Sequence, residues 1–466
     1  MVKKRLVIVG GGPGGYVAAV RAAQLGADVS LVEKDKVGGT CLNRGCIPTK
    51  VILHSAELFQ ALKSGARSGI LADNIRIDWP SVLQRKKSIV SGLVAGVAGL
   101  LKANGVKVFQ GTASLLNDKT LEIVSNQEKQ VVAADGIVLA VGSEPAAVSI
   151  SGAGLPGVID STQALELSNI PRSLLIVGGG VIGLEFAAMY GALGTAVTVV
   201  EMQDQVLPGV DQEMAAMLQQ ELTREGVVFH TRAKIRQIAA STLGLTAEVE
   251  AGGKVLSMTA EYILVAVGRK PSIARLGIEA AGIAVNHSGI VVNEQFQTNT
   301  AGIYAIGDCN GKTLLAHAAS AQGVAAVEHF MGHKPGYFSH IIPACIYTTP
   351  EFATVGLTEE QAKQSGRAVK VGKFPLSGNG KALIENSGKG LIKIIAGVQY
   401  GEILGVQILG PRATDIIAEA ALAIRLEATV EELITTIHAH PTISEAVAEA
   451  ALAVYDQAVH WPPKDH

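Results

Sequence analysis

The chain of 466 residues balances 39 basic against 41 acidic side chains, and a formal charge of -2 leaves no net electrostatic footprint for nucleic acid. With 48% hydrophobic residues, 53 glycines and only 17% charged residues, it is too apolar for disorder and suited to buried parallel sheets joined by tight turns. The length predicts three or four domains, and the longest apolar run, Ile89 to Leu101, is broken by Ser and Gly short of the roughly 18 residues a membrane span needs.

The basic start Lys3-Lys4-Arg5 leads into Leu6-Val7-Ile8-Val9, which reaches glycine too soon for a secretion signal and reads as a first strand. Gly10-Gly11-Gly12-Pro13-Gly14-Gly15 follows, then a helical pattern from Tyr16 to Leu25 and a second strand ending at Val32-Glu33. This is G-x-G-x-x-G on Gly10, Gly12 and Gly15 within a βαβ unit. Such glycines let the backbone approach a pyrophosphate at a helix N-terminus, where free N–H groups and the dipole favour anions. Glu33 is placed to accept from ribose hydroxyls.

Cys41 and Cys46 come next, and C-x4-C gathers two of the four cysteines into one loop. A cysteine metal site brings a second knuckle or a spaced His pair, which this chain lacks, so the pair reads as redox-active. On an ideal helix their Cα atoms would stand about 8.7 Å apart, beyond the ~7 Å limit for a disulfide. A bridge therefore requires an irregular turn, which Gly45 can provide. With four cysteines and no signal, the expected compartment is the reducing cytoplasm, where a disulfide is more often catalytic than structural. Arg44 inside the loop either lowers a thiol pKa or points to solvent. Lys50, one helical turn beyond Cys46, taken alone is a solvated surface lysine. Cys309 and Cys345 follow apolar strands and read as inert buried thiols.

The glycine pattern recurs as Leu174-Leu175-Ile176-Val177, then Gly178, Gly180 and Gly183, a helix from Leu184 to Leu193 and a strand ending at Val200-Glu201. Two complete copies predict two dinucleotides. The Glu201 carboxylate suits a free 2'-hydroxyl and repels a 2'-phosphate, and Met202-Gln203-Asp204-Gln205 offers no cation, which favours NAD over NADP. Ala140 to Pro145 and Ala266 to Pro271 form a further repeated pair, each an apolar strand ending in Val-Gly, marking where the chain crosses between domains. Thr300 to Asp308 is a turn, a short strand and an acid, which alone could cap the next helix. Near the C-terminus, His440 precedes Glu445 by five residues at the start of a helix, Ala446 to Val454. Glu445 can fold back onto one imidazole nitrogen and leave the other to exchange a proton with a thiol. His438 beside it reads as structural.

Together the two dinucleotide folds, C-x4-C with Lys50, Gly307-Asp308 and His-Pro-Thr-x-Ser-Glu resemble the disulfide-containing flavoprotein reductases over essentially the whole chain. The resemblance implies an α/β architecture of two Rossmann-like dinucleotide-binding domains, for FAD and NAD, plus a C-terminal α+β dimerisation domain. Its expected segments are 1–148 for FAD, 149–272 for NAD, 273–340 completing the FAD site and 341–466 at the interface. It implies FAD contacts at Gly10, Gly12, Gly15, Glu33, Lys50, Ala113, Gly142, Asp308 and Ala316. NAD contacts are implied at Gly178, Gly180, Gly183, Glu185, Glu201 and Gly268, with Glu185 also pairing Lys50. Cys41 would exchange with substrate and Cys46 face the flavin. His440 and Glu445 would face the cysteines of the other subunit, making a homodimer with composite sites. Relatives acting on glutathione carry a basic pair where Glu201 stands, and those acting on mercury or thioredoxin add a C-terminal redox group, whereas no cysteine follows Cys345. The implied activity is oxidation of dihydrolipoyl groups by NAD⁺, on a lipoyl-bearing protein of a 2-oxoacid dehydrogenase or glycine-cleavage system. The alternative is NAD(P)H-dependent reduction of another disulfide, and no metal is implied.

Overall fold

The first apolar run forms the strand Arg5–Val9 at the centre of a five-stranded parallel sheet in the computed structural model, which describes residues 3–125, 128–334, 336, 341–386 and 388–462. The sheet order is Ile303–Ala305, Gly136–Leu139, Arg5–Val9, Asp28–Glu33 and Lys107–Gln110. Val9 lies level with Val32 on one side and Leu139 on the other. Both faces are covered, so Leu6 to Val9 are all buried and the strand is apolar throughout rather than alternating.

The second sheet, taken from the opposite edge, is Val228–His230, Ala196–Val200, Ser173–Val177, Tyr262–Val265 and Val158–Ile159, matching the first in four strands and differing in the last, which here precedes the central strand in the chain. Val177 lies level with Val200 and Val265. In both sheets the order reverses at the central strand, and the crevice beyond its C-terminal end is where such sheets bind ligands. Each half also carries a three-stranded antiparallel sheet, from Thr112–Leu115 to Glu128–Ala133 in the first and from Ala233–Ser241 to Lys254–Ala260 in the second. The two repeated Val-Gly segments meet directly: Ser143–Pro145 pairs antiparallel with Arg269–Pro271. The chain's exits from the two nucleotide folds are thus zipped to each other.

The C-terminal part is a five-stranded antiparallel sheet ordered Ala344–Ile346, Glu351–Gly356, Ile403–Gly410, Leu391–Gly397 and Val369–Pro375. Helices Ala413–Arg425 and Glu445–Leu452 pack on it through Ile417, Ala420, Val447 and Ala450. The architecture is therefore the expected one, two dinucleotide folds and a C-terminal α+β domain. The 89–101 run lies inside the amphipathic helix Trp79–Ala103, and no described helix is long and apolar enough to cross a membrane.

The helices after the glycine turns span Pro13–Gln24 and Val181–Ala192, starting about one turn before the apolar periodicity suggests. In the first helix the added turn is Pro13-Gly14-Gly15, which carries helical backbone without a hydrophobic signal; in the second it is Val181-Ile182-Gly183, so the helix opens directly after Gly180, inside the glycine motif. The glycines of each motif differ in what they face. A Cβ on Gly15 would sit 1.8 Å from the Gly10 carbonyl oxygen, and one on Gly183 2.0 Å from that of Gly178, so these two permit close helix–strand packing. Gly12 and Gly180 hold extended backbone that any residue adopts. A Cβ on Gly12 meets nothing closer than 3.9 Å, and one on Gly180 nothing within 4 Å. Gly183→Ala is accordingly expected to destabilise the fold by about 1–3 kcal/mol or more through overpacking, whereas Gly180→Ala leaves thermal stability unchanged. Parallel melting curves of the two variants check this, and equal loss in both would contradict it.

Candidate redox and dinucleotide site

Helix Gly39–Arg44 stops at Gly45, whose backbone (φ -139°, ψ -112°) is non-helical, and Cys46 begins a new helix running to Lys63. The break supplies the irregular turn that a continuous helix denies to C-x4-C. Both cysteines are free thiols in this structure. Interaction with the neighbouring Cys41 sulfur, with the Lys50 ammonium adding to it, draws the Cys46 thiol down to about 7. The same interaction and burial push Cys41 up instead. Within the pair Cys46 is the more acidic thiol. Arg44 lines the same cleft and is held in an ion pair with Asp35 just beyond the second strand.

Lys50 lies one turn into the new helix, and its Nζ sits 2.7 and 2.8 Å from the two carboxylate oxygens of Glu185, on the helix after the second glycine turn. Tyr347 of the C-terminal sheet region completes the cluster: its backbone N–H donates to Glu185 Oε1 at 3.1 Å and its ring lies 4.4 Å from the ammonium. Residues from three parts of the chain converge on one buried carboxylate.

These groups open onto a cleft of about 1830 Å³ that also takes in both crevices. Gly10, Gly12, Glu33, Ala113, Gly142, Asp308 and Ala316 line one side, and Gly178, Gly180, Glu201 and Gly268 the other. Gly15 and Gly183, expected as cofactor contacts, do not line it, because the glycine-turn carbonyls occupy the space beside them. The helices starting at Pro13 and Val181 have no side-chain cap, so their free N–H groups point to the cleft. Open space beside Gly12 and Gly180 lets an anion approach those groups. The residues present therefore fit a dinucleotide pyrophosphate in each crevice.

Glu33 and Glu201 have a role that the spacing did not show. Glu33 accepts from the Gly11 N–H at 2.7 Å and the Asp35 N–H at 2.8 Å, and Glu201 from those of Gly179 at 2.6 Å and Gln203 at 2.8 Å. Each acid clamps its glycine turn before any ligand is considered. Burial raises the Glu33 carboxyl above its ordinary value.

Arg269 and Ser143, on the paired crossing strands, also reach the cleft, and no motif in the sequence marks either. Arg269 donates to the Ser143 hydroxyl and carbonyl, both at 2.7 Å, and Ser143 donates to Asp308. Asp308 lies in the short turn Gly307–Asn310 rather than capping the following helix, which begins at Ala316. Beside the run after Glu201, Arg232 pairs in bidentate fashion with Asp204 at 2.9 and 3.1 Å on the surface, outside the cleft, and the cation that lines the cleft here is Lys234, which the run after Glu201 could not reveal.

His440 Nδ1 lies 2.8 Å from Glu445 Oε1, and the other carboxylate oxygen accepts from the Thr442 N–H at 2.8 Å. Burial would raise Glu445, but these partners hold it below its ordinary value. His440 is 81% exposed and, like Glu445, does not line the cleft of its own chain. His438 is the buried one, held by Glu419 and the Thr436 carbonyl. Cys309 is buried, as expected, and burial pushes it up to about 12. Cys345 departs from expectation: it sits within the strand Ala344–Ile346, partly exposed on the cleft wall because that edge strand borders the cleft. Its thiol is raised to about 11 by its surroundings, so it is not a ready nucleophile.

Comparison with known proteins agrees with this arrangement. The pyridine nucleotide-disulphide oxidoreductase family matches residues 4–323, and the dimerisation domain of the same family matches residues 342–451. A dihydrolipoyl dehydrogenase of Bacillus subtilis is 43% identical over 98% of this chain and 99% of its own length. The Geobacillus stearothermophilus dihydrolipoyl dehydrogenase is 39% identical over 98% of each chain. Among solved structures, LpdA from Mycobacterium tuberculosis superposes with a TM-score of 0.90 at 28% identity, covering 96% of this chain and 99% of that one. With two dinucleotide crevices, a thiol pair between them and full-length similarity of this kind, the chain belongs to the pyridine nucleotide-disulphide oxidoreductase family.

Proposed function

We propose that the chain is a dihydrolipoyl dehydrogenase, oxidising dihydrolipoyl groups to the cyclic disulfide with NAD⁺ as final acceptor. The observation that carries this reading is the Cys41–Cys46 pair, with its acidic member beside Lys50, set in the cleft between two crevices that each fit a dinucleotide. Relatives named for this activity, similar over the full chain, supply the substrate class.

FAD in the first crevice and NAD⁺ in the second would supply the two-electron path from the thiol pair to a hydride acceptor. The protein's own residues handle the sulfur and proton chemistry. In the disulfide form, a substrate thiol gives its proton to His440 of the partner subunit, whose Glu445 holds the imidazole through Nδ1 and leaves Nε2 to act. The resulting thiolate attacks Cys41 Sγ, the Cys41–Cys46 bond breaks, and Cys46 leaves as a thiolate stabilised by Lys50. The second substrate thiol then displaces Cys41, which takes up a proton, so two thiols are oxidised and one disulfide reduced. Assigning exchange to Cys41 and electron delivery to Cys46 fits the acidity difference between them.

The composite site is part of the proposal. His440 and Glu445 stand apart from the cleft of their own chain, and the matched dimerisation domain supports their completing the cleft of a second copy. We read residues 1–148 and 273–340 as the FAD portion, 149–272 as the NAD portion and 341–466 as the interface portion. The lipoyl group would be carried by a protein of a 2-oxoacid dehydrogenase or glycine-cleavage system, in the cytoplasm.

NADH formation from dihydrolipoamide and NAD⁺ is the direct test; no NADH from FAD-loaded protein, with NADPH oxidised by glutathione disulfide instead, would sink the reading. Mixed dimers of inactive Cys46→Ser and inactive His440→Ala subunits are expected to regain one working site in two, about half of wild-type activity per heterodimer. Inactive heterodimers would contradict the composite site. In the reduced protein, thiolate absorbance should rise with pH about a midpoint near 7. Cys41→Ala removes the neighbouring sulfur and Lys50→Met the cation, so both raise that midpoint, the first by more. A midpoint unmoved in either variant would show the asymmetry to lie elsewhere.

A further inference from the structure

Lys393 is 1% exposed on the strand Leu391–Gly397 of the C-terminal sheet, among neighbours that are buried and apolar. Its ammonium reaches the second nucleotide fold, with Nζ 2.8 Å from Asp211 Oδ2 and 3.1 Å from Glu213 Oε2, and also lies 2.8 Å from Glu359 Oε2 of the C-terminal portion. Lys373 pairs with Glu213 at 2.7 Å and Lys363 with Glu359 at 2.6 Å, so three lysines balance three carboxylates. Burial alone would lower the Lys393 ammonium, yet hydrogen bonds to Asp211 and Glu359 raise it. Well-packed apolar residues would serve stability as well as a buried ion pair does, so stability is a weak account of this one.

Asp211 is 0% exposed and accepts from the Met214 N–H at 3.2 Å, capping the helix Gln212–Arg224. It also ends the loop that leaves Glu201. Pro208 and Val210 of that loop line the cleft, and the Leu207 N–H donates to the Gly179 carbonyl of the glycine turn at 2.9 Å. The loop is thus pinned at its start by Glu201 on Gly179 and at its end by Asp211 on Lys393, from a different domain.

We propose that Lys393, acting through Asp211, is a positioning residue for NAD⁺: the interface domain sets the wall of the second crevice. The inference rests on the reading of that crevice as the NAD site. NAD⁺ dissociation constants, measured by fluorescence titration of FAD-loaded Lys393→Met and of the double variant Lys393→Met with Asp211→Asn, test it. Both are expected to bind NAD⁺ about tenfold more weakly, a loss in the range that small misplacements of a binding wall produce, while dihydrolipoamide bleaches the flavin at the wild-type rate. The double variant leaves neither partner of the pair charged and buried, so it should recover thermal stability lost in the single variant without recovering NAD⁺ affinity. Affinity that returns together with stability, or never changes, overturns the proposal, as does failure of both variants to fold. Wild-type protein that binds no NAD⁺ would instead sink the reading of the crevice itself.

Discussion

The ion pair between Lys50 and Glu185 is the contact around which the site is organised. Lys50 rides on the helix that Cys46 opens, and Glu185 on the helix that follows the second glycine turn. Both oxygens of Glu185 lie within 2.8 Å of the ammonium, and the carboxylate is only 7% exposed. A buried carboxylate so held resists displacement, because removing its cation would leave an uncompensated charge away from water. The relative placement of the thiol pair and the two crevices follows from this contact, and the Tyr347 N–H extends it to the C-terminal domain. The same ammonium favours the Cys46 thiolate, so one charge both joins the domains and tunes the sulfur.

The two nucleotide folds solve one problem twice. A carboxylate at the end of the second strand binds the middle glycine N–H, fixing the turn, while the helix beyond keeps its N-terminus uncapped. Ordering the turn in advance lowers the entropy lost when a pyrophosphate binds. The halves differ in their surroundings. The first crevice receives the redox helix and Asp308 with its Ser143–Arg269 partners; the second receives a loop anchored from the interface domain.

The interface domain therefore contributes in two directions. Outward, it presents His440 on Glu445, a base with an oriented ring and no partner cleft within its own chain. Inward, its buried lysine braces the second crevice. Its sheet, with central strands buried along their whole length, is the rigid element that allows both.

Much of this was legible in the sequence because its causes are local. Glycine fingerprints, the acids that close them, the C-x4-C spacing and the His440–Glu445 interval are short-range patterns, in which backbone sterics and hydrogen bonds over about 20 residues determine the conformation. Both helices begin inside their glycine motifs, at Pro13 and Val181, and in the first the glycines there carry no hydrophobic signal. Lys50–Glu185 entered only through family resemblance, and Lys393–Asp211, Arg232–Asp204 and Arg269–Ser143 did not enter at all. Any of the 39 basic residues could face any of the 41 acidic ones as far as composition goes. Which of them meet was decided by packing, as sheets and helices far apart in the chain were brought together and the charges caught between them had to be paired.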